Sequence, residues 1–451
     1  MTNLSQSYHL IIPYLNRRLK SGIYSKVTSL LLGHNMPVFN PSSVFIVDNG
    51  GGSLKAGFSN QSSPRIIPNC ITKAKSEKRR AFVGDQIDDC RDLSSLFFML
   101  PFQRGYLVNW DHQKTVWDYT FGKTCFNLFN KFQDLSIIMT EPYFNFSSIR
   151  EGLSEILFEE YQFASMLRTN PGDLSCYNNK QQFPSEECCL VVDSGYSFTH
   201  IVPYIHGRRF KDAVVRIDVG GKLLTNHLKE IVSYRQIHVL DETYVMNSAK
   251  EDSCYVSLNF DNDMSIAKME SKKRRKENYN YEIAREYVLP DFTSLRRGYL
   301  REIKTHQSHG SNQKENENNE QTIFLNNERF SVPEVLFNPT DVGIMQMGIA
   351  EAIAYSISLC DESTRSWLYK NIVLTGGNVA FPNMKERVEK EVRTHAPTEY
   401  EVVVRVPDDP ISYAWSGGAS FASDSCLSKV SVTREEYLEK GNAICEERYH
   451  L

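Results

Sequence analysis

The chain has 451 residues, of which 41% are hydrophobic and 24% are charged, as in ordinary folded proteins, so it can form more than one domain around a large core. The formal net charge of −4 gives no overall field that attracts nucleic acid, so any such contact requires a local basic patch. No apolar run approaches the roughly 20 residues that span a bilayer, and none of the ten cysteines shows the CxxC spacing of a zinc site.

Residues 1–43 contain no Asp or Glu and carry four basic residues, namely Arg17, Arg18, Lys20 and Lys26. An acid-free, basic start can mimic a mitochondrial presequence. We expect instead a flexible extension or a segment that docks onto a partner.

The stretch VFIVDNGGGSLKAGF at residues 44–58 begins with a β-branched and aromatic run that predicts a buried strand. Asp48 ends the apolar run, and three glycines follow, Gly50, Gly51 and Gly52. Without Cβ atoms these glycines let backbone N–H groups approach an anion, and Lys55 can add a positive charge. The pattern predicts a hairpin that cradles a phosphate with Asp48 facing a metal ion, although an ordinary hairpin turn has the same signature.

The same pattern recurs at residues 190–202, where Asp193 and Gly195 follow another apolar strand. Asp48 and Asp193 therefore stand at equivalent places in two copies of one unit. A third strand and turn, ending in Gly376 and Gly377, follows at 372–378. Two such hairpins can clamp a phosphate chain and its cation, and the third turn can lie against the nucleoside.

These three turns resemble the nucleotide cleft of the superfamily that contains actin, heat-shock chaperones and sugar kinases. Motifs outside the cleft stand in the order found in actin, at residues 107–111, 140–141, 327–330, 333–334 and 336–337. Longer runs resemble one nuclear branch of the actin-related proteins, at residues 100–111, 140–146, 193–200, 219–230 and 432–437. The similarity covers roughly residues 44–451, apart from insertions.

The resemblance implies an α/β actin-like fold with two lobes, each a mixed sheet flanked by helices, around a central nucleotide cleft. The expected subdomains are 1 (44–69, 101–177 and 412–451), 2 (70–100, with a shortened loop), 3 (188–218 and 333–411) and 4 (219–332). Residues 178–187 are polar and include Pro184, which predicts an inserted loop. Composition predicts disordered insertions at about 261–280 and 304–321.

Two basic runs are prominent. The first contains Lys73, Lys75, Lys78, Arg79 and Arg80 and stands where actin has an apolar loop that inserts into the next subunit. We therefore expect a chain that does not form filaments, although a solvated charged turn explains the run equally well. The second run, Lys272, Lys273, Arg274, Arg275 and Lys276, is typical of a nuclear import signal or a nucleic-acid contact, with plain surface charge as the alternative.

Carried over to this chain, the actin resemblance implies a nucleotide site with a specific set of residues. They are Asp48, Gly50, Gly51, Gly52, Lys55, Asp193, Gly195, Lys250, Glu251, Gly376 and Gly377. No direct metal ligand is expected, and Asp48 and Asp193 would face Mg²⁺ through water. His200 matches an actin histidine near the attacking water.

Several positions that act on the terminal phosphate differ from actin. Gly51 stands in place of a serine whose hydroxyl contacts that phosphate, and Tyr196 in place of an aspartate that supports the metal's water shell. The glutamine that positions water falls at Asn170 or at Pro171, depending on one gap. Nearer the adenine, Ile411 replaces a lysine and Asn247 an arginine. Phosphoryl transfer needs positioned water and neutralised charge, so we expect no catalytic residue and ATP with Mg²⁺ held without hydrolysis. An empty pocket and real turnover are the alternatives.

The resemblance to the nuclear branch implies a non-motor subunit of a remodelling complex that exchanges a variant histone, of type Z, into nucleosomes and so regulates transcription. The implied partners are the motor ATPase, a zinc-finger-type subunit, histones or the nucleosome, and DNA through basic surface. The implied location is the nucleus, with some cytoplasmic protein, and no membrane contact. A cytoskeletal, filament-forming actin-like ATPase is the chief alternative, and a sugar or glycerol kinase the second.

Overall fold

The computed structural model describes residues 44–77, 80–273, 281–303 and 320–449. The predicted extension at 1–43, Lys78 and Arg79 of the first basic run, and Arg274–Lys276 of the second lie outside the described residues. The same holds for 277–280 and 304–319 of the two predicted insertions.

Strands occur along the whole described chain. In the first half they are β1 (Val44–Asn49), β2 (Ser53–Phe58), β3 (Arg65–Pro68), β4 (Ile71–Lys73), β5 (Ala81–Val83), β6 (Phe97–Met99), β7 (Phe102–Gln103), β8 (Tyr106–Leu107), β9 (Ser136–Thr140) and β10 (Ser165–Thr169). In the second half they are β11 (Cys188–Ser194), β12 (Thr199–Ile205), β13 (Arg208–Arg209), β14 (Val215–Ile217), β15 (Arg285–Val288), β16 (Tyr299–Arg301), β17 (Thr322–Leu325), β18 (Ile372–Thr375), β19 (Val404–Arg405) and β20 (Val432–Thr433).

Helices alternate with these strands. Those before residue 300 are α1 (Trp110–Phe121), α2 (Ser147–Glu155), α3 (Pro171–Gln182), α4 (Gly221–Arg235), α5 (Thr243–Ser253) and α6 (Phe260–Lys273). Those after it are α7 (Glu328–Glu334), α8 (Ile349–Ser358), α9 (Glu362–Lys370), α10 (Met384–His395), α11 (Tyr413–Ala422), α12 (Leu427–Val430), α13 (Arg434–Lys440) and α14 (Asn442–Tyr449). A π-helical turn at Ile156–Glu160 extends α2, and 3₁₀ turns lie at Gly84–Asp89, Phe132–Asp134, Lys211–Ala213, Pro339–Val342 and Gly377–Ala380.

The first lobe is built on a six-stranded sheet in the order β20-β10-β9-β1-β2-β3. Strand β1 pairs antiparallel with β2 and parallel with β9. Because alternate side chains of a strand point to opposite faces, Phe45 and Val47 pack with Trp117 on one face, whereas Ile46 packs with Trp415 on the other. The sheet is therefore covered by apolar side chains on both faces, which explains the continuous hydrophobic run at the start of β1.

The second lobe repeats this arrangement. Its sheet has the order β13-β12-β11-β18-β19, with β14 also paired to β12. Strand β11 pairs antiparallel with β12 and parallel with β18, as β1 does with β2 and β9. The prediction of two copies of one unit is therefore confirmed, and the mixed sheets flanked by helices confirm the predicted fold class.

Smaller sheets extend both lobes. The sheet β5-β4-β6 lies on the first lobe and the sheet β16-β15-β17 on the second, while β7 and β8 form a short ribbon. In the first of these small sheets, the connection from β4 to β5 is short and consists of residues 74–80. Across the described ranges, no helix is long and apolar enough to cross a membrane.

Helix α3 carries the chain from the first lobe to the second and packs closely on α11. A Cβ atom added to Gly417 of α11 would lie 2.0 Å from the carbonyl oxygen of Leu174 on α3. Only glycine permits this approach, because any side chain would overlap the α3 backbone. The two helices thus form a tight junction behind the cleft.

Two predictions of irregular chain were wrong in part: residues 183–187 are irregular as expected, but the segments before them and at the start of the first insertion are helical. Residues 178–182 of the predicted inserted loop are the end of α3, where Asn178 donates to the carbonyl of Tyr413 at 3.4 Å. Residues 261–273 of the first predicted insertion belong to α6. There the carboxylate of Glu270 is fully buried and accepts hydrogen bonds from the backbone N–H groups of residues 282–284. In both cases polar side chains that suggested disorder are ordered by tertiary contacts. The proposed boundary between residues 332 and 333 also falls inside α7.

Candidate functional site

The first hairpin ends β1 at Asp48, whose carboxylate is held from two sides. Its Oδ1 accepts a hydrogen bond from the Thr140 hydroxyl at 2.7 Å, and its Oδ2 lies 3.3 Å from the ammonium of Lys55, the residue opposite in β2. Within the described chain, the N–H groups of Gly51 and Gly52 take part in no hydrogen bond. This turn therefore offers two free donors beside a compensated carboxylate.

The second hairpin places Asp193 at the matching position of β11. Asp193 is half-buried and lines the cleft. Burial raises the pKa of Asp193 to about 6, the negative charge of Asp48 adds to the rise, and Lys55 opposes it. Two carboxylates that end neighbouring hairpins therefore repel each other across the cleft, and a divalent cation between them would relieve that repulsion.

The third turn follows β18, which pairs Thr375 with Asp193. Gly376 has φ +93°, and a Cβ atom there would lie 2.3 Å from the carbonyl oxygen of Ser194. Only glycine fits this left-handed, crowded position. Asn378 then donates from its amide to Ser194 Oγ at 3.0 Å and to the carbonyl of Gly195 at 2.9 Å. The third turn is thus tied to the second hairpin.

A cavity of about 800 Å³ lies between the three turns and the α4–α5 region. Its lining contains every residue that the sequence assigned to a nucleotide: Asp48, Gly50, Gly51, Gly52, Lys55, Asp193, Gly195, Lys250, Glu251, Gly376 and Gly377. The cavity volume falls within the range of small-molecule and cofactor sites. Residues separated by more than 300 positions in the sequence therefore converge on one cleft.

Lys250 of α5 also lines the cavity, where it is buried and its ammonium is already bonded. It donates to Thr225 Oγ1 at 2.9 Å, to Asn247 Oδ1 at 3.1 Å and to the carbonyl of Gly221 at 3.2 Å. Burial lowers the pKa of Lys250. Asn247 also donates to Glu251 at 2.8 Å, so these three side chains form one polar wall, and Ile411 lines the same cavity.

The structure separates the two candidate positions for a water-positioning amide. Asn170 is buried, donates to the carbonyl of Glu141 at 2.7 Å and accepts a hydrogen bond from Arg209. Both atoms of its amide are thus engaged in structure, and it is not part of the cavity lining. Pro171, the first residue of α3, does line the cavity and has no side-chain donor or acceptor. Neither position offers an amide to water in the cleft.

Three consecutive side chains of the second hairpin pack into glycines of the first lobe. A Cβ atom on Gly52 would lie 2.7 Å from the Tyr196 ring, and one on Gly105 would lie 1.8 Å from the Phe198 ring. Similarly, a Cβ atom on Gly51 would lie 2.7 Å from the Ser197 hydroxyl. The two lobes therefore interlock at the turns. Ser197 and Phe198 were missed by the sequence reasoning, and the signal that could have found them is the replacement of a triple glycine by bulkier residues in the second copy.

Tyr196 itself is a neutral phenol in this position. Burial raises the pKa of its hydroxyl to about 12. A neutral phenol cannot take over the charge of an aspartate near a cation, so the ring acts here through its packing against Gly52.

His200 lies opposite Asp193 in β12 and lines the cavity. Burial lowers the pKa of its imidazole to about 3, and the charge of Arg216 contributes. Rings of Tyr143 and Phe198 lie 4.8 and 4.3 Å from it. Within the described residues neither ring nitrogen has a hydrogen-bond partner. A neutral imidazole with two unsatisfied nitrogens at a cavity wall is a natural position for an ordered water.

The residues present fit magnesium and a nucleoside polyphosphate. Free N–H groups and Lys55 suit phosphate oxygens, whereas the repulsion between Asp48 and Asp193, which Lys55 opposes only in part, suits a hydrated cation. In the described part of the chain no cluster of three or more His, Cys, Asp or Glu could hold a metal ion directly. A cation here would thus be held mainly through its water and the phosphates.

Comparison with known proteins identifies the family. A family model described as Actin matches residues 39–450.

The chain belongs to the actin family.

Among the relatives of this actin-family chain, Actin-related protein 6 of Drosophila melanogaster is 43% identical over 405 residues, which cover 89% of this chain and 98% of the relative. Actin-like protein ARP6 of Cryptococcus neoformans is 38% identical, with 90% and 84% of the two chains covered. Actin-related protein 6 of Arabidopsis thaliana is 36% identical, with 90% and 99% covered. Similarity of this extent places the chain with the relatives that bear this name, and confirms the assignment made from its motifs.

Proposed function

We propose that this actin-family chain is a non-motor subunit of a nuclear remodelling complex that exchanges a variant histone of type Z into nucleosomes. The observation that carries the proposal is the 43% identity over 98% of a relative named Actin-related protein 6. The sequence runs that resemble the nuclear branch lie both inside and outside the cleft, so the resemblance is not limited to a shared nucleotide fold. The partners would be the motor ATPase, a zinc-finger-type subunit and the nucleosome.

The nucleotide part of the proposal is that ATP with Mg²⁺ is bound and not hydrolysed. The cleft supports it with free N–H donors, two carboxylates and the polar side chains of α5 in one cavity lining. The phosphate oxygens of a bound nucleotide would accept hydrogen bonds from these donors. Its cation would compensate the two carboxylates. Neither of the two positions that match the water-positioning glutamine offers an amide to water, because Asn170 is engaged and Pro171 has none. Denatured protein purified from nuclei should release ATP; release of ADP alone would contradict this part.

The function is tested by recovering the tagged, full-length chain from nuclei and identifying the proteins that accompany it by mass spectrometry. We expect a remodelling ATPase, a zinc-finger-type subunit and the variant histone in stoichiometric amounts. Recovery of cytoskeletal proteins, with the chain mainly in the cytoplasm, would overturn the proposal. The exposed Lys272 at the end of α6 supplies one residue of the proposed import run, and imaging a chain with residues 272–276 changed to alanine tests that run separately.

A filament-forming ATPase remains the alternative to exclude by experiment. The short connection between β4 and β5 leaves little chain for a loop that could insert into a neighbouring subunit. Under salt and magnesium conditions that polymerise actin, the purified chain should stay in the supernatant after high-speed centrifugation. Pelleted filaments without partners would favour the cytoskeletal alternative.

A further inference from the structure

The side chain of Ser197 lies between the two hairpin turns, where the lobes meet. Its hydroxyl is 2.7 Å from the position of a Cβ atom built on Gly51. The next atoms around that position belong to Phe102, at 3.6 and 3.7 Å. The Ser197 hydroxyl therefore occupies the space into which a side chain at position 51 would extend.

The Ser197 hydroxyl and the nearby backbone N–H groups of the first turn are hydrogen-bond donors at the cleft. Ser197 lines the cavity, and in the described part of the chain neither its hydroxyl nor the N–H groups of Gly51 and Gly52 make a hydrogen bond. Lys55 lies on the same hairpin as the glycines. Unused donors gathered around one gap require an acceptor when the site is filled, and an anion with several oxygens satisfies them best.

We propose that the Ser197 hydroxyl donates a hydrogen bond to the phosphate chain of a nucleoside polyphosphate, and thereby supplies from the second hairpin the hydroxyl that Gly51 lacks on the first. The proposal rests on the nucleotide binding proposed above. The two positions compete for one space, because a Cβ atom at position 51 would displace the Ser197 hydroxyl from the place it occupies.

The first test measures the dissociation constants of ATP and of adenosine by calorimetry, for the full-length chain and for Ser197→Ala. A hydrogen bond to a charged oxygen contributes enough that its loss should weaken ATP binding about tenfold. Adenosine has no phosphate, so its affinity should not change. Equal loss for both ligands would mean that Ser197 acts only through packing and would overturn the proposal.

The second test moves the hydroxyl back to the first hairpin. Gly51→Ser alone should lose ATP affinity and thermal stability, because its Cβ atom meets the Ser197 hydroxyl. Gly51→Ser combined with Ser197→Gly should recover ATP affinity to within about threefold of the unmodified chain, because the remaining contacts of the new Cβ atom are at ordinary distances. Recovery of stability without recovery of the ATP-to-adenosine affinity ratio would contradict the donor role.

The outcomes separate the two proposals. If the unmodified chain binds ATP and Ser197→Ala binds it equally tightly, the role of Ser197 is overturned while nucleotide binding stands. If the unmodified chain binds neither ATP nor adenosine, nucleotide binding is overturned and the role of Ser197 with it. The identification of nuclear partners is independent of both results.

Discussion

The two hairpins at the centre of the molecule share a backbone plan and differ in their side chains. The first turn is made of glycines alone, whereas in the second turn Gly195 is followed by Tyr196, Ser197 and Phe198. These three side chains fill the spaces that glycines of the first lobe leave open. In this repeated unit, side chains of the second turn pack into the space that the glycines of the first turn leave open. The glycines therefore allow the two lobes to make contact, and they also present backbone N–H donors to the cleft.

The carboxylates of the two hairpins differ as well. Asp48 has a hydroxyl and an ammonium within contact distance, whereas desolvation and the charge of Asp48 raise the pKa of Asp193. The same residue type at equivalent positions therefore has different surroundings. Asp48 has two partners within the protein, whereas the charge of Asp193 would be compensated by a cation in the cleft.

The largest expected effect comes from disturbing the packing of the second turn against the glycines of the first. Gly52→Ala places a Cβ atom 2.7 Å from the Tyr196 ring, which must then shift with its hairpin. We expect a loss of about 2 to 3 kcal/mol in the free energy of unfolding, typical of overpacking. The matched control is Gly195→Ala, whose Cβ atom would meet only the Phe198 carbonyl oxygen, at 3.7 Å, and should change stability by no more than about 0.5 kcal/mol.

Urea denaturation of both variants measures this difference. Adding Tyr196→Ala to Gly52→Ala should cost less than the sum of the two single changes, because the clash disappears with the ring. Equal destabilisation by the two glycine variants would show that the interlocked turns are not the reason for the glycines.

The second prediction concerns the charges. The pKa of Asp193 is raised from 3.8 to about 6 in the folded protein, so the folded state binds this proton more tightly than the unfolded state does. Stability from this group is therefore present below pH 4 and is lost as the pH rises through 6. At pH 7.5 and without magnesium, Asp193→Asn should raise the free energy of unfolding by on the order of 2 kcal/mol.

Asp48→Asn is the matched control and should stabilise less than Asp193→Asn, because it removes the same repulsion but also the contact with Lys55. Thermal unfolding from pH 4 to pH 8 measures both variants. A fall in stability of the unmodified chain between pH 4 and 6 that persists in Asp193→Asn would show that another group causes it.

The third prediction extends the comparison of the two carboxylates to the protein with ligand present. Mg²⁺ with ATP at a hundredfold excess over its dissociation constant should stabilise the chain by about 2.7 kcal/mol. Because a proton on Asp193 competes with the cation, the rise in melting temperature should be smaller at pH 5 than at pH 7.5. In Asp193→Asn the rise should be smaller than in the unmodified chain and the same at both pH values. If the rise in melting temperature still depends on pH in Asp193→Asn, a group other than Asp193 causes that dependence.

The sequence by itself determined the family, the fold class and the members of the cleft. Its strongest signals were local: an apolar strand followed by Asp and Gly, repeated in β1 and β11 and echoed at Gly376. Such turns are visible in sequence because glycine and strand-forming residues have strong local preferences. The predicted irregular segments failed at Asn178 and Glu270 because composition does not show which polar side chains will be buried with partners.

Only the tertiary structure decided what the cleft residues can do. It showed that Asn170 is bonded to Glu141 and Arg209 while Pro171 faces the cavity, a choice that the alignment gap left open. It also showed that Ser197 fills the space beside Gly51. These positions lie 29, 39 and 146 residues apart in the chain, and whether two such side chains meet depends on how the lobes pack, which no local preference encodes.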